Sequence, residues 1–124
     1  MEEKLLQAAL AAREKAYAPY SHFLVGAAVL AADGKIYTGC NVENASYGLT
    51  CCAERNAIFA AVGAGNRQLQ ALCVVGDTAE PISPCGACRQ VMAEFNIPVI
   101  YLANLKGNVK QVTLAELLPY SFTL

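Results

Sequence analysis

The chain has 124 residues, 56% of them hydrophobic and 15% charged, which suits one compact domain over residues 1–124 with an ordinary core. Nine Lys and Arg against ten Asp and Glu give a formal net charge of −1, and the basic residues are scattered from Lys4 to Lys110. No basic stripe of the kind that grips a nucleic-acid polymer is present, so such a partner is not expected. The apolar stretch that contains Leu24 to Ala32 falls well short of the roughly 20 residues that span a bilayer. The opening Met-Glu-Glu-Lys is acidic where a secretory leader is basic, so a cytoplasmic protein with no membrane partner is expected. In that reducing compartment the six cysteines point to metal binding or burial rather than to disulfides.

Residues 2–17 place Leu5, Leu6, Ala9, Leu10, Ala12 and Ala16 at helical spacing, with acids in the first turn and Pro19 as the stop. Leu24 to Ala31 reads as a buried strand, Asp33-Gly34 as a hairpin turn and Lys35 to Asn41 as the returning strand. From Cys52 onwards Ala53, Ala57, Ile58, Ala60 and Ala61 predict a central helix ended at Gly63-Ala64-Gly65. Leu69 to Val75 is apolar apart from Gln70, as suits a strand covered on both faces. Ser83 as cap and Pro84 in the first turn predict a further helix with Val91, Met92 and Phe95 inward. Pro98 to Ala103 and Val109 to Val112, joined by the Lys106-Gly107 turn, predict antiparallel neighbours. Thr113 to Glu116 is a capping box for a short last helix ended by Pro119. This alternation predicts an α/β fold, a mixed sheet of about five strands in a three-layer α/β/α sandwich.

Two segments carry the chemistry: Cys51-Cys52-Ala53-Glu54-Arg55 and Pro84-Cys85-Gly86-Ala87-Cys88. Three residues apart at a helix start, Cys85 and Cys88 share a face, and a helix amino end favours thiolate. Alone this pair fits a dithiol or half of a structural zinc site equally well. One cysteine from the first segment would complete a three-thiolate set whose fourth position stays open to water. Spacing does not decide between Cys51 and Cys52. The one histidine, His22, has no partner to close the set. Glu54 would stand over the open position and move protons, where an isolated glutamate would only complement the helix dipole. Arg55 beside the ligands would drain charge from the thiolates.

Together Cys52-Ala53-Glu54 and Pro84-Cys85-Gly86-Ala87-Cys88-Arg89-Gln90-Val91 resemble the zinc nucleobase deaminase signature in its all-cysteine form. Pro19-Tyr20-Ser21-His22-Phe23, Val25-Gly26-Ala27-Ala28, Gly39 to Ser46 and Leu117-Leu118-Pro119 with Phe122 resemble the small homotetrameric cytidine deaminases over nearly the whole chain. The resemblance favours Cys52, with Cys85 and Cys88, as ligands of one zinc ion per subunit, and Glu54 as proton shuttle. It implies that Asn41 and Glu43, spaced by Val42, hold the ribose hydroxyls, that Phe23 packs on the pyrimidine, and that the backbone at Ala53 helps to recognise it. It implies that Ala45, Tyr47 and Phe122 complete a neighbouring subunit's site in a homotetramer. The implied activity is deamination of cytidine and 2′-deoxycytidine to uridine and 2′-deoxyuridine with release of ammonia, in pyrimidine salvage. Leu24 departs from the pattern, since many relatives have Pro there. Cys40, Cys51 and Cys73 read as buried small hydrophobes. Two other readings stand beside this one: a deaminase of another aminated ring, for which Glu43 would be dispensable, and a zinc or dithiol module without catalysis.

Overall fold

The computed structural model describes residues 1–124. In chain order its elements are α1 (Glu2–Arg13), β1 (Val25–Ala31), β2 (Ile36–Cys40), a 3₁₀ turn (Tyr47–Leu49), α2 (Ala53–Gly63), β3 (Leu69–Gly76), α3 (Gly86–Glu94), β4 (Val99–Asn104), β5 (Val109–Val112) and α4 (Leu114–Leu117). The strands form one sheet in the order β2-β1-β3-β4-β5. Every neighbouring pair is antiparallel except β3 and β4, which run parallel because α3 makes the crossover between them.

All seven residues of β1 are buried, and they alternate between two cores. Ala27, Val29 and Ala31 join Ala57, Ile58, Met92 and Leu117 on the face that carries α2, α3 and α4. Ala28 and Leu30 join Leu5 and Ala9 of α1 on the other. Strand β3 does the same, with Leu72 and Val74 on one side and Ala71, Cys73 and Val75 on the other, which is why Ala71 to Val75 reads as an unbroken apolar run. The three-layer sandwich, its mixed five-stranded sheet and its antiparallel last pair are thus as expected.

The side layers lie close to the sheet because glycines admit them. A side chain at Gly39 of β2 would collide with the α2 backbone at Ala57 N and, at 2.6 Å, at Ala53 O. Gly26 of β1 stands in the same relation to α1, against Ala9 O and Arg13 N. The contact at Gly39 sets the height of the first turn of α2, which carries the chemistry described below. Asn56 fixes its rotation by donating from Nδ2 to the carbonyl of Cys40, 2.8 Å away.

Helix boundaries differ from the sequence expectation in three places, while strand ends shift by at most one residue. Helix α1 ends at Arg13, not at residue 17. The backbone of Tyr17 pairs with the strand-like segment after β2, donating to Asn41 O at 3.0 Å and accepting from Glu43 N at 2.8 Å, so the chain leaves the helix well before Pro19. Helix α3 begins at Gly86 with Cys85 as its cap, not with Ser83. Ser83 and Pro84 lie outside the helix because Arg89 occupies them, its Nη2 on Ser83 Oγ at 2.7 Å and its Nε on the Pro84 carbonyl at 2.8 Å. The capping box at Thr113 and Glu116 forms as expected, but α4 stops at Leu117, ahead of Pro119. Among the cysteines without an assigned role only Cys73 is buried; Cys40 and Cys51 are partly exposed, against expectation. No helix is long and apolar enough to cross a membrane.

Gly39→Ala is expected to cost about 2 kcal/mol or more, since backbone on both sides cannot yield. Gly63→Ala, at the end of α2 with nothing within 4 Å of the added carbon, is expected to be neutral or to gain up to about 1 kcal/mol. Urea melts of the two variants read the difference. Burial pushes the Cys73 thiol up to about 12, and the thiolate is the reactive form. Peptide mapping after maleimide labelling at pH 8 is therefore expected to find Cys73 unmodified in the native protein and modified only after unfolding.

Candidate active site

Two helix amino ends converge on one spot. Cys52 caps α2 and Cys85 caps α3, both in extended conformation and neither with a side-chain capping bond. Cys88 lies one turn into α3, on the same face as Cys85. The three sulfurs fall within 4.8 Å of one another, with Cys52 and Cys85 at 3.7 Å. Two sulfurs of a tetrahedral zinc site with bonds of about 2.3 Å stand about 3.8 Å apart, so the donor set fits that ion in number, softness and spacing. Cys52 and not Cys51 joins the cluster; Cys51 is drawn away by its backbone ladder with Val42, the two bonds both 3.0 Å long.

Arg55, on the same first turn of α2, donates from Nη2 to Cys52 Sγ at 3.4 Å. Its buried Nε has no partner. The electrostatics follow from proton sharing among the thiols. Cys52 is brought down to about 5, first by the Cys88 thiol that donates to it, then by Arg55 and Cys85, against the opposing effect of burial. Cys88 is raised for the complementary reason, because it keeps the proton it donates. Arg55 is held more firmly charged by Cys52.

Glu54 is 4% exposed. Burial pushes its carboxyl up to about 7, and the neighbouring Cys52 thiolate adds to the shift. A carboxyl titrating near neutrality in a water-poor recess can accept and return a proton. It faces a cavity of about 250 Å³ whose walls bring together Phe23, Asn41, Glu43, Cys52, Ala53, Glu54 and Cys85. Phe23, Val25 and Ile82 supply the apolar part of this lining, while Glu43 and Asn41 lie on the polar part. The hollow thus suits a small flat molecule with a polar appendage.

Asn41 and Glu43 alternate with Val42 along an extended segment, so the two polar side chains share a direction. Both are already engaged. Asn41 accepts from Val25 N at 2.9 Å and donates to Phe23 O at 2.7 Å. Glu43 accepts from the amides of Tyr20 and Ser21, at 3.0 and 3.1 Å, and from the Ser21 hydroxyl. The Ser21 hydrogen bonds hold its carboxyl below the usual carboxylate range.

Four of the residues expected to contact substrate lie outside this cavity. Val42 contributes backbone pairing rather than a wall. Ala45 is exposed. Tyr47, 75% exposed, lines an adjoining hollow of about 390 Å³ with Tyr20, Ser21, Glu43 and Thr50. Phe122, 68% exposed, is tethered through its carbonyl to Gln90 Nε2 at 3.0 Å, beside the end of α3. Sequence reasoning missed Ser21, Val25, Thr50, Ile82 and Ser83 as lining residues. The signal for the last three was adjacency, since each sits within three residues of a motif cysteine.

The family model for the cytidine and deoxycytidylate deaminase zinc-binding region matches residues 1–104. A cytidine deaminase of Sporosarcina psychrophila is 58% identical over 124 residues, covering 98% of this chain and 90% of that protein. One from Halalkalibacterium halodurans is 54% identical, covering 98% and 93%. The crystal structure of a cytidine deaminase from Burkholderia pseudomallei superposes with a TM-score of 0.95 at 55% identity, covering 98% of this chain and 99% of that one. The sulfur cluster, the buried carboxyl beside it and these likenesses over nearly the full length agree: the chain belongs to the cytidine deaminases, a zinc-binding family of hydrolytic enzymes.

Proposed function

We propose that residues 1–124 act as one domain that hydrolyses the amino group of cytidine and 2′-deoxycytidine, releasing ammonia and leaving uridine and 2′-deoxyuridine, and so serve pyrimidine salvage in the cytoplasm. The observation that carries this reading is the triangle of Cys52, Cys85 and Cys88 sulfurs beside the buried Glu54. Cys52, Cys85 and Cys88 hold one zinc ion per chain. When bound, zinc supplies the nucleophile by bringing the ionisation of a water molecule close to neutral pH.

Glu54 accepts the proton released from that water and delivers it to ring N3, which makes C4 electrophilic. A C–O bond forms at C4. Glu54 then carries the hydroxyl proton of the adduct to the exocyclic nitrogen, the C4–N bond breaks, and ammonia leaves as the C4 carbonyl forms. Cytidine and water are consumed and uridine and ammonia appear, with N3 keeping its proton. Arg55 offsets part of the thiolate charge through Cys52. Phe23 packs on the ring, the amide at Ala53 at the start of α2 meets the pyrimidine, and Asn41 and Glu43 take the sugar hydroxyls. Val42 keeps those two in one direction.

Ala45, Tyr47 and Phe122 reach a neighbouring subunit's site in a homotetramer. This is supported by the exposure of both aromatic rings and by Phe122 not lining its own chain's cavity. The sparse, balanced charge supports a free nucleoside over a polynucleotide as substrate.

Following the ultraviolet spectrum of cytidine tests the reading. Zinc-loaded wild type is expected to convert it to the uridine spectrum. Glu54→Gln should retain close to one zinc per chain and lose at least about 10²–10⁴ in kcat/KM. A wild type that holds zinc and leaves cytidine unchanged would sink the nucleoside assignment.

The pH dependence of stability checks Glu54 separately. Its folded pKa, about 7, lies above the ordinary 4.5, so the folded state binds more protons than the unfolded state between those values. Stability from this group is complete below about pH 4.5 and declines as pH rises through 7. In metal-stripped protein, Glu54→Gln is expected to gain on the wild type between pH 5 and pH 8, on the order of 3 kcal/mol at the upper end. Paired thermal melts across that window read the sign.

A further inference from the structure

The segment from Tyr20 to Val25 supplies Phe23 and Val25 to the cavity wall, yet it belongs to no helix or strand until Val25. His22, inside it, is in the left-handed region at φ 59°, which a side-chain-bearing residue keeps only when its surroundings impose it. Ahead of Val25 the segment is fixed by one backbone bond, from His22 N to the Ala18 carbonyl at 2.9 Å, and by a few side chains, among them Arg13 on the Leu24 carbonyl at 3.1 Å. Asn41 takes one end, through Phe23 O and Val25 N. Glu43 takes the other, through the amides of Tyr20 and Ser21. Between them stands the Ser21 hydroxyl, which gives its only proton to Glu43 Oε2 and receives the amide of Phe23 at 3.0 Å.

We propose that Ser21 is a positioning residue that links the two ends of the binding cavity, holding Phe23 at the base end and orienting Glu43 at the sugar end through one chain of hydrogen bonds. The role rests on the reading above, in which Phe23 meets the pyrimidine and Glu43 the sugar. A carboxylate offers about four acceptor positions, and three on Glu43 are taken by the Tyr20–Ser21 segment. One remains on Oε2, beside the Ser21 bond, for a substrate hydroxyl. Ser21 lines both the cavity with Glu54 and the adjoining hollow with Tyr47. Its hydroxyl therefore decides which way the free lone pair of Glu43 points. Losing it takes one bond from Phe23 and one from Glu43 together, whereas losing a bond to the loop backbone alone would loosen only one of them.

The test compares zinc-loaded wild type, Ser21→Ala and Ser21→Thr, the last keeping a hydroxyl. Amide exchange and steady-state kinetics with cytidine are measured on each. In Ser21→Ala the Phe23 amide is expected to exchange at least about tenfold faster, while amides of β1 and β3 keep their protection. The KM for cytidine is expected to rise about tenfold with kcat within about threefold and zinc content unchanged. Ser21→Thr is expected to restore both readouts. Unchanged Phe23 exchange, unchanged KM, or a loss of protection spread equally through β1 and β3 would each overturn the assignment. A wild type that does not deaminate cytidine would instead sink the nucleoside reading, and the exchange arm would still decide whether Ser21 pins the loop.

Discussion

The seating of α2 on β2 over Gly39 is the constraint on which the rest depends. Because no side chain intervenes, the helix backbone rests on the strand, and the Asn56 amide locks it there through the carbonyl of Cys40. The first turn of that helix carries Cys52, Ala53, Glu54 and Arg55. The strand beneath it runs directly into Asn41, Val42 and Glu43. A single backbone contact therefore sets the distance between the sulfur cluster and the carboxylate that closes the opposite side of the cavity. This explains why the layer between α2 and the sheet is built from Ala53, Ala57 and Ala61, where larger side chains would lift the helix away from the strand.

Burial of charge is the second organising effect. Glu54 and Cys52 stand next to each other with little water, and each raises the cost of ionising the other. The chain answers with Arg55 and with two helix amino ends, all aimed at the same small volume. Leaving one carboxyl poised near neutral pH costs stability that a glutamine would not, and the proton transfer proposed for Glu54 needs that poise. Arg55 keeps its Nε buried without a partner, which marks the guanidinium as placed for the sulfur rather than for the best hydrogen-bond satisfaction.

Most of the architecture was legible in the sequence because its strands follow the simplest rule available. β3 is apolar on both faces, β4 and β5 share a short turn, and Thr113 with Glu116 forms the box its spacing announces. What was not legible depended on long-range bonding. The end of α1 is decided by Tyr17 pairing with the segment around Val42, a contact between parts of the chain that local propensity does not connect. The start of α3 was misplaced because Ser83 and Pro84 fit a helix opening locally, while Arg89 claims both from within the helix. Within the site, the cysteine and glutamate spacings announced the cluster. The choice between Cys51 and Cys52 needed the ladder that draws Cys51 towards Val42. The engagement of Asn41 and Glu43 with the Phe23 loop had no signature, since either residue type would serve a sugar or a backbone equally well.

Arg89 also shows why a cap made of a cysteine can be stable. A serine or aspartate cap satisfies the first helix amides itself, but Cys85 makes no such bond, and its sulfur belongs to the cluster. The position of the helix opening must then be fixed from elsewhere. The fork of Arg89 does this with three bonds, to the Pro84 carbonyl, to Ser83 Oγ and, at 2.6 Å, to the carbonyl of Leu117 at the end of α4. The adjacent Gln90 ties the Phe122 carbonyl to the same helix. The sulfurs of Cys85 and Cys88 are thereby referred to the last helix and to the C-terminal segment as well as to the sheet. A helix of nine residues whose cap belongs to the sulfur cluster holds two sulfurs in register because its own residues 89 and 90 anchor it to the rest of the molecule.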